Sequence, residues 1–508
     1  MNISKYILII AIVLPIMLFA CKKADNPAET IDKEEENKPD YSGLLFSDIY
    51  EVTVRNGGNS EKINVFVSKC PEYNLGFKNM IENDQYPLTI FSGRSINWCQ
   101  LALSGTIDVE VKILNKSKVP SSNQIRILPS RHGVSATLSG ENIKFTLNKP
   151  GQYSVEIGND GYKNGLIIFA DPPETDIPDI SSGSYKVLKN AGKADVTSLN
   201  TSLNGIYFKS GVHDIGVFKV PAHIKNIYFE KGSWVYGSII MDGCSGVKIF
   251  GRGILSSGKL NYRESHCIEA INQSNNITIN GIVIADPKYF AVRLIGSNNN
   301  VSWTKVIGGW VYNCDGIAAY EGSFVTNCFI WANDDAIKVF RNNITWSDCV
   351  VWQLNNGGVI QMAWGGSNSE NVKISRVDIL RAEWNKPGFN RGIINCVGNR
   401  YKEPGKTGIQ KDWLVEDIVT ENPVPVVFNI SPDEYSPNHI ENLTLKNWNV
   451  TMVMGTVFKN TINGNDPNVF FDGFVFDNVI FNGQKLTSTN WLDITGTITT
   501  RLNEPFFK

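Results

Sequence analysis

A chain of 508 residues, 42% hydrophobic and 11% aromatic, is long and apolar enough for two or three domains with large cores. Its 48 basic and 50 acidic residues leave a formal charge of -2, which excludes a basic field broad enough to hold nucleic acid or a strongly anionic polymer. Forty-four glycines, with many Asn, Val and Ile and almost no helix-period stripes, favour an all-β, turn-dense fold.

The chain opens on a targeting pattern. Lys5 precedes the apolar run "YILIIAIVLPIMLF", and "LFAC" follows. This resembles a bacterial lipobox, so residues 1–20 are expected to be a signal peptide and Cys21 the lipidated first residue of the mature chain. The run is short for a membrane span and holds Pro15. The stretch "KKADNPAETIDKEEENKPD" lacks large apolar residues, and 21–43 reads as a solvated tether. The expected location is the outer membrane of a Gram-negative bacterium, on the periplasmic face or the cell surface, with a monomer held by its lipid. The other eight cysteines are scattered and, with five dispersed histidines, show no metal-ligand spacing; they read as small buried hydrophobes. No metal or other cofactor is expected.

From about Leu45 to Ala170, "DIYEVTVRN", "KINVFVSK", "IDVEVKIL", "NIKFTLN" and "YSVEIGN" alternate in polarity between Gly, Pro and Asn turns. That rhythm predicts an antiparallel β-sandwich over 44–175. The prolines of "FADPPETDIPD" end it.

Over 176–508 the chain repeats. "NNITINGIVI", "NNVSWTKVIGG", "SFVTNCFIWA", "NNITWSDCVVW" and "ENVKISRVDIL" share a polar opening, often Asn-Asn, then alternating and finally continuous apolar residues. Anchored on Ile277, Val301, Phe324, Ile344 and Val372, the step is roughly 20 to 28 residues, one coil of a parallel β-helix. Weaker copies follow at "WLVEDIV", "ENLTLKNWNV" and "GFVFDNVIF". The leucine consensus and helical half of a leucine-rich repeat are missing. Asn at equivalent turns is expected to form hydrogen-bonded ladders.

One coil apart in sequence means stacked in space. Asp315 of "NCDGIAAY" and the pair Asp334 and Asp335 of "WANDDAIKVF" therefore gather on one face, with Lys338 and Gln361 beside them. An isolated Asp-Gly is ordinarily a turn and an isolated Asp-Asp a surface or calcium-binding pair. Their coincidence at coil spacing, inside apolar flanks, suits glycosidic cleavage: one carboxyl kept protonated donates to the leaving oxygen while another, as carboxylate, activates water. A lateral offset plus one coil step predicts carboxyl groups about 6.5 to 9.5 Å apart, the separation for inversion.

The string "DGI", then "NDDAIK" nineteen residues on, then "NNGGVIQ", resembles glycoside hydrolase family 49, the dextranase and isopullulanase group, related in fold to the polygalacturonases of family 28. The resemblance implies an all-β chain, an N-terminal β-sandwich followed by a right-handed parallel β-helix. It also implies inverting hydrolysis of an α-linked, dextran-like glucan, endo-acting on a polysaccharide substrate, with Asp334 as general acid and Asp315 or Asp335 as base. The Gly-His and Arg-Ile-Lys elements that serve galacturonate in family 28 are absent, with "KVFRNN" and "GGVIQMAW" in their place, so a neutral sugar is expected.

Trp310, Tyr312, Tyr320, Trp331 and Trp364 lie near these coils, where aromatic rings stack on sugars or fill cores. Trp310 and Trp364, each beside glycines, are the preferred platforms, with Tyr312 and Tyr320 as further candidates and Lys338 as a tuning partner of the aspartates. Two other readings stay open. One is a hydrolase or lyase of a uronic or sulfated polysaccharide, which needs a cleft rich in Arg and Lys. The other is a non-catalytic glycan-binding β-helix.

Overall fold

The computed structural model describes residues 41–71, 91–189, 191–362, 367–385, 387–388, 390–397, 408–431, 439–453, 460–462, 471–488 and 506–508. The lipobox with Cys21, most of the tether, and Trp364 lie outside the described residues. Among the described residues the helical pieces are three-residue 3-10 turns; the rest of the regular structure is strand.

The N-terminal strands form two five-stranded sheets. The first runs Asn59–Ile63, Tyr50–Asn56, Ile107–Ile113, Asn142–Leu147, Thr137–Ser139 in spatial order. Its alternation is clean: Ile107, Val109, Val111 and Ile113 point into the core, while Asp108 and Lys112 are exposed. The second runs Phe66–Lys69, Ser95–Ala102, Asn164–Asp171, Gly151–Ile157, Ile125–Leu128. Asn164–Asp171 pairs with Ser95–Ala102 in parallel, so the sandwich is not wholly antiparallel as expected.

The repeat region winds into a parallel β-helix with three sheets. Ile279, Val301, Val325, Trp346 and Ile374 stack in the first sheet, every one of them buried. The anchors Ile277, Ile344 and Val372 are buried two positions earlier in the same coils, but Phe324 is corrected: it is 54% exposed, and the inward residue of that coil is its neighbour Val325. A one-residue slip reverses the facing of every side chain in a strand.

Each template holds two strands divided by a corner with positive φ, occupied by Asn327, Asp348, Arg376, Asp417, Asn447 and Asn478 in successive coils. Asn and Asp tolerate that backbone, and their side chains then stack. Arg376 is bidentate to Asp348 at 2.6 and 2.7 Å, and Asn478 donates to Asn447 at 3.0 Å. Asn371 donates to Asn343 at 2.9 Å and Asn442 to Asp412 at 2.7 Å in the ladder at the mouth of the first sheet.

The third sheet carries the site. Its strands Ile268–Ile271, Val292–Leu294, Ile317–Ala319, Ile337–Val339, Ile360–Met362 and Ile394–Val397 stack in register. Ile268, Val292, Ile317, Ile337, Ile360 and Ile394 face inward at 0% exposure, each contributing about 1.5–3 kcal/mol of burial. Period-two alternation then sends Glu269, Arg293, Ala318, Lys338, Gln361 and Asn395 to the outer face.

The outer face of the second helix sheet packs on the sandwich. Trp98 stacks on Trp234 at 6.2 Å and Phe169 meets Phe329 edge-on at 5.3 Å. Trp310, Trp331 and Trp352 continue the same cluster, 5.0 and 4.5 Å apart in turn. This double coverage buries Gly151–Ile157 along its whole length. Lys305 and Asp171, both fully buried, pair across the seam at 2.5 Å, and Gln100 donates to the same carboxylate at 2.6 Å.

Candidate active site

Asp315 sits in the turn entering Ile317–Ala319, and Asp334 and Asp335 in the equivalent turn one coil on, entering Ile337–Val339. Gly316 N–H donates to the Asp335 carbonyl at 2.9 Å and Asn333 N–H to the Cys314 carbonyl at 3.1 Å, so Asp315 is stacked on Asp335 and Cys314 on Asp334. The three aspartates are 1, 4 and 0% exposed, and each brings a carboxylate oxygen within 4.8 Å of the others. These nearest oxygens lie closer than the separation expected from coil geometry.

Lys338, on the outer face two residues into its strand, reaches back between them. Its ammonium pairs with Asp315 Oδ2 and lies 2.9 Å from Asp335 Oδ2. Burial works against this ammonium, but Asp315, Asp335 and Asp334 outweigh it and hold it charged.

Asp334 is held differently. Its Oδ2 accepts from Asn356 at 2.7 Å and Asn313 at 3.3 Å, and its Oδ1 from Asp335 N–H at 3.0 Å and Asn390 at 3.2 Å. Burial first, and then the Asp335 charge, push its carboxyl up to about 7 against the pull of Lys338 and those donors. Burial, with the charges of Asp334 and Asp335, also raises the Asp315 carboxyl well above its ordinary value against Lys338, so contacts and not the shifts separate the two. One ammonium faces three carboxyl groups, so the cluster retains a proton near neutrality. Asp315 touches the ammonium directly and Asp334 is bonded only to neutral N–H groups, which places that proton on Asp334.

The amides around Asp334 come from later coils. Asn356 lies one coil on, in the turn that ends at Gly357 and Gly358. A Cβ on Gly357 (φ +84°) would stand 2.1 Å from the Asp334 carbonyl carbon and 2.3 Å from Asp335 N. Gly357→Ala is therefore expected to displace both aspartates, lowering Tm and cutting turnover about 100-fold, checked by a melt and initial rates on the same preparation. Gln353 secures the turn from within, donating to the Asp334 carbonyl at 2.9 Å. Asn390 arrives from the lengthened coil before Ile394–Val397, and Asn395 ties it to Gln361 by bonds of 2.8 and 2.5 Å.

Of the other residues singled out in the sequence, Gln361 is Lys338's register partner and fully buried, with its bonds to Asn395 and the Met362 carbonyl. Trp310 is corrected: it is 2% exposed, packed against Trp331 and bonded to Ser68 at 2.9 Å, a filler of the seam with the sandwich and no platform for sugar. Tyr320 is 9% exposed and stacked on Phe340 at 5.0 Å, which removes one of its ring faces. Tyr312 is half-buried beside the seam cluster. Coil counting missed Asn313, Asn356 and Asn390. The first two were legible as the polar neighbours of Asp315 and of the coil after Asp334; Asn390 was hidden by the insertion.

Fold and site together define a right-handed parallel β-helix protein, faced by a β-sandwich, whose corner turns assemble three buried carboxyl groups suited to acid–base cleavage of a glycosidic bond. The chain is 24% identical over 476 residues to a dextranase of Arthrobacter globiformis, spanning 80% of this chain and 74% of that one. It is 24% identical over 326 residues to an isopullulanase of Aspergillus niger, 56% of each chain. Dex49A from Penicillium minioluteum shares the fold with a TM-score of 0.75 and 18% identity, over 90% of this chain and 94% of that one. No family model matches the chain.

Proposed function

We infer that this glycoside hydrolase cleaves an α-linked glucan of the dextran type, endo-acting on α-1,6 bonds, with inversion at the anomeric carbon. Asp334 is the general acid and a carboxylate clamped by Lys338 the base. The observation that carries the reading is the unequal treatment of three neighbouring carboxyl groups: two lie against one ammonium, and the third is held near neutrality among amides. The likeness to dextranases supports the substrate class.

A neutral substrate agrees with the cations of the third sheet's outer face. Lys338 is engaged with Asp315 and Asp335, and Arg293 is paired with Glu269 at 2.5 Å, so neither offers an uncompensated charge to a polyanion.

The nearest-oxygen spacing within 4.8 Å is close to the roughly 5–5.5 Å between carboxyl groups of retaining enzymes. Inversion is preferred on electrostatic grounds. An ammonium against both Asp315 and Asp335 blunts each as a nucleophile while leaving a lone pair to orient water.

The test is product analysis on dextran, pullulan, nigeran, a sulfated galactan and a polygalacturonate, with anomeric NMR of the first product. A ladder of oligosaccharides from dextran, released as the β-anomer, is expected. Cleavage confined to a charged polymer sinks the substrate assignment, and release of the α-anomer sinks inversion.

The lipobox-like run supports an exported chain anchored through lipid on Cys21. Cys21→Ala is expected to move the protein from the membrane fraction to the soluble one; an unchanged membrane fraction would contradict the anchor.

A further inference from the structure

We propose that Asp315, and not Asp335, is the carboxylate that takes the proton from the attacking water, with Asp335 a positioning residue for the acid. This rests on the hydrolase reading above and settles the one role that reading leaves open.

The two candidates share the Lys338 ammonium but differ in what is left over. Asp335 has one oxygen hydrogen-bonded by the protein and the other in ionic contact with it. Its Oδ1 accepts the Gly358 N–H at 3.1 Å, and the ammonium stands 2.9 Å from its Oδ2, off the line of an ideal hydrogen bond. The Gly358 donor is itself fixed, because its carbonyl accepts from Ala336 N–H at 3.0 Å and the next residue's carbonyl from Ile337 N–H at 2.9 Å. Asp315 gives only Oδ2 to Lys338. Its Oδ1 is buried and no group among the described residues donates to it. A buried carboxylate oxygen without a donor is costly and uncommon away from functional sites. Asp335 Oδ2 also accepts no hydrogen bond but lies against the ammonium, so Asp315 Oδ1 is the oxygen of the pair that meets neither a donor nor a cation and is left to accept from a water or a sugar hydroxyl.

Placement in the chain points the same way. An inverting acid and base must address opposite sides of the scissile bond. Asp335 is covalently next to Asp334, donates its own N–H to Asp334 Oδ1, and belongs to the same turn. Asp315 comes from the preceding coil and is stacked on Asp335, so it meets Asp334 diagonally across the coil step.

In the reaction, an O–H bond of water breaks and its proton passes to Asp315 Oδ1. The water oxygen bonds to the anomeric carbon as the bond to the leaving oxygen breaks. The leaving oxygen keeps that electron pair and takes the proton of Asp334. Asp315 ends protonated and Asp334 ionised, and exchange with solvent restores both. Asp335 acts through its neighbour, its negative charge helping to keep the proton on Asp334 until the bond breaks.

The experiment compares both positions on the full chain with dextran. Sodium azide is expected to restore turnover at least tenfold in Asp315→Ala, giving a glycosyl azide of inverted configuration, and to leave Asp335→Ala unrescued. The isosteric amides keep the fold readable: in Asp335→Asn the acidic limb of kcat/KM persists while the basic limb moves to lower pH, whereas in Asp315→Asn the acidic limb disappears from the residual activity. Azide rescue of Asp335→Ala, rescue of neither or of both equally, or an acidic limb kept in Asp315→Asn and lost in Asp335→Asn overturns the proposal and leaves the hydrolase reading standing. A parent chain that cleaves no neutral α-glucan overturns that reading, and the proposal with it.

Discussion

Asp334→Asn is expected to abolish dextran cleavage, by about 10²–10⁴-fold for a lost general acid, and at the same time to make the protein more stable at alkaline pH. Folded, the carboxyl binds its proton up to about 7, against an ordinary value of 3.8. The native state therefore holds a proton that the unfolded chain releases earlier. This favours folding fully below about pH 4 and is lost as the pH rises through about 7. The shift is worth on the order of 2–4 kcal/mol between those limits, and an uncharged amide does not incur the loss. Asn313, Asn356 and Asn390 can turn their amides to meet the new side chain. Thermal melts of parent and variant from pH 5 to pH 8 should diverge, the variant gaining as pH rises. A gap that stays constant with pH would show that Asp334 carries no displaced proton.

Lys338→Met is expected to be the most damaging single change in the site. Methionine matches the stem and removes the ammonium, which lies 4.4 Å from the centre of the Phe290 ring, so the effect isolates the charge. Its loss leaves Asp315 and Asp335 buried without their counter-charge, which costs about 3–5 kcal/mol when both are ionised. Without Lys338 to pull it down, the Asp315 carboxyl, already raised by burial, takes up a proton more readily, so the deficit is smallest at low pH and grows as pH rises. Urea unfolding at pH 5 and pH 8 should show the variant closer to the parent at pH 5. Activity falls with it, since a protonated base cannot accept the proton of water. Equal destabilisation at both pH values would mean that Lys338 contributes packing alone.

The carboxyl cluster was legible because a coil repeat converts linear spacing into stacking: Asp315 and Asp335 each lie two residues before the register partners Ile317 and Ile337. The environment of Asp334 was less legible. Asn390 reaches it from a lengthened coil, where counting residues no longer gives position. Trp310 shows a second limit. Alternation says which side chains point outward from a helix sheet, and not that the second sheet's outward side is covered by the sandwich. The misplaced anchor at Phe324 shows a third. A positive-φ corner residue such as Asn327 joins the two strands of a coil, and the phase of the alternation does not carry across it. The parallel pairing of Asn164–Asp171 with Ser95–Ala102 follows from neither composition nor turn spacing, because strand direction depends on where the chain crosses the sandwich.

A glycosyl fluoride leaves without protonation, so it separates loss of the acid from loss of everything else. On an α-isomaltosyl fluoride, Asp334→Asn is expected to turn over within about tenfold of the parent, while its rate on dextran is lower by the full 10²–10⁴-fold of a missing proton donor. Equal losses on both substrates, or undiminished cleavage of dextran, would contradict a proton held for donation on Asp334.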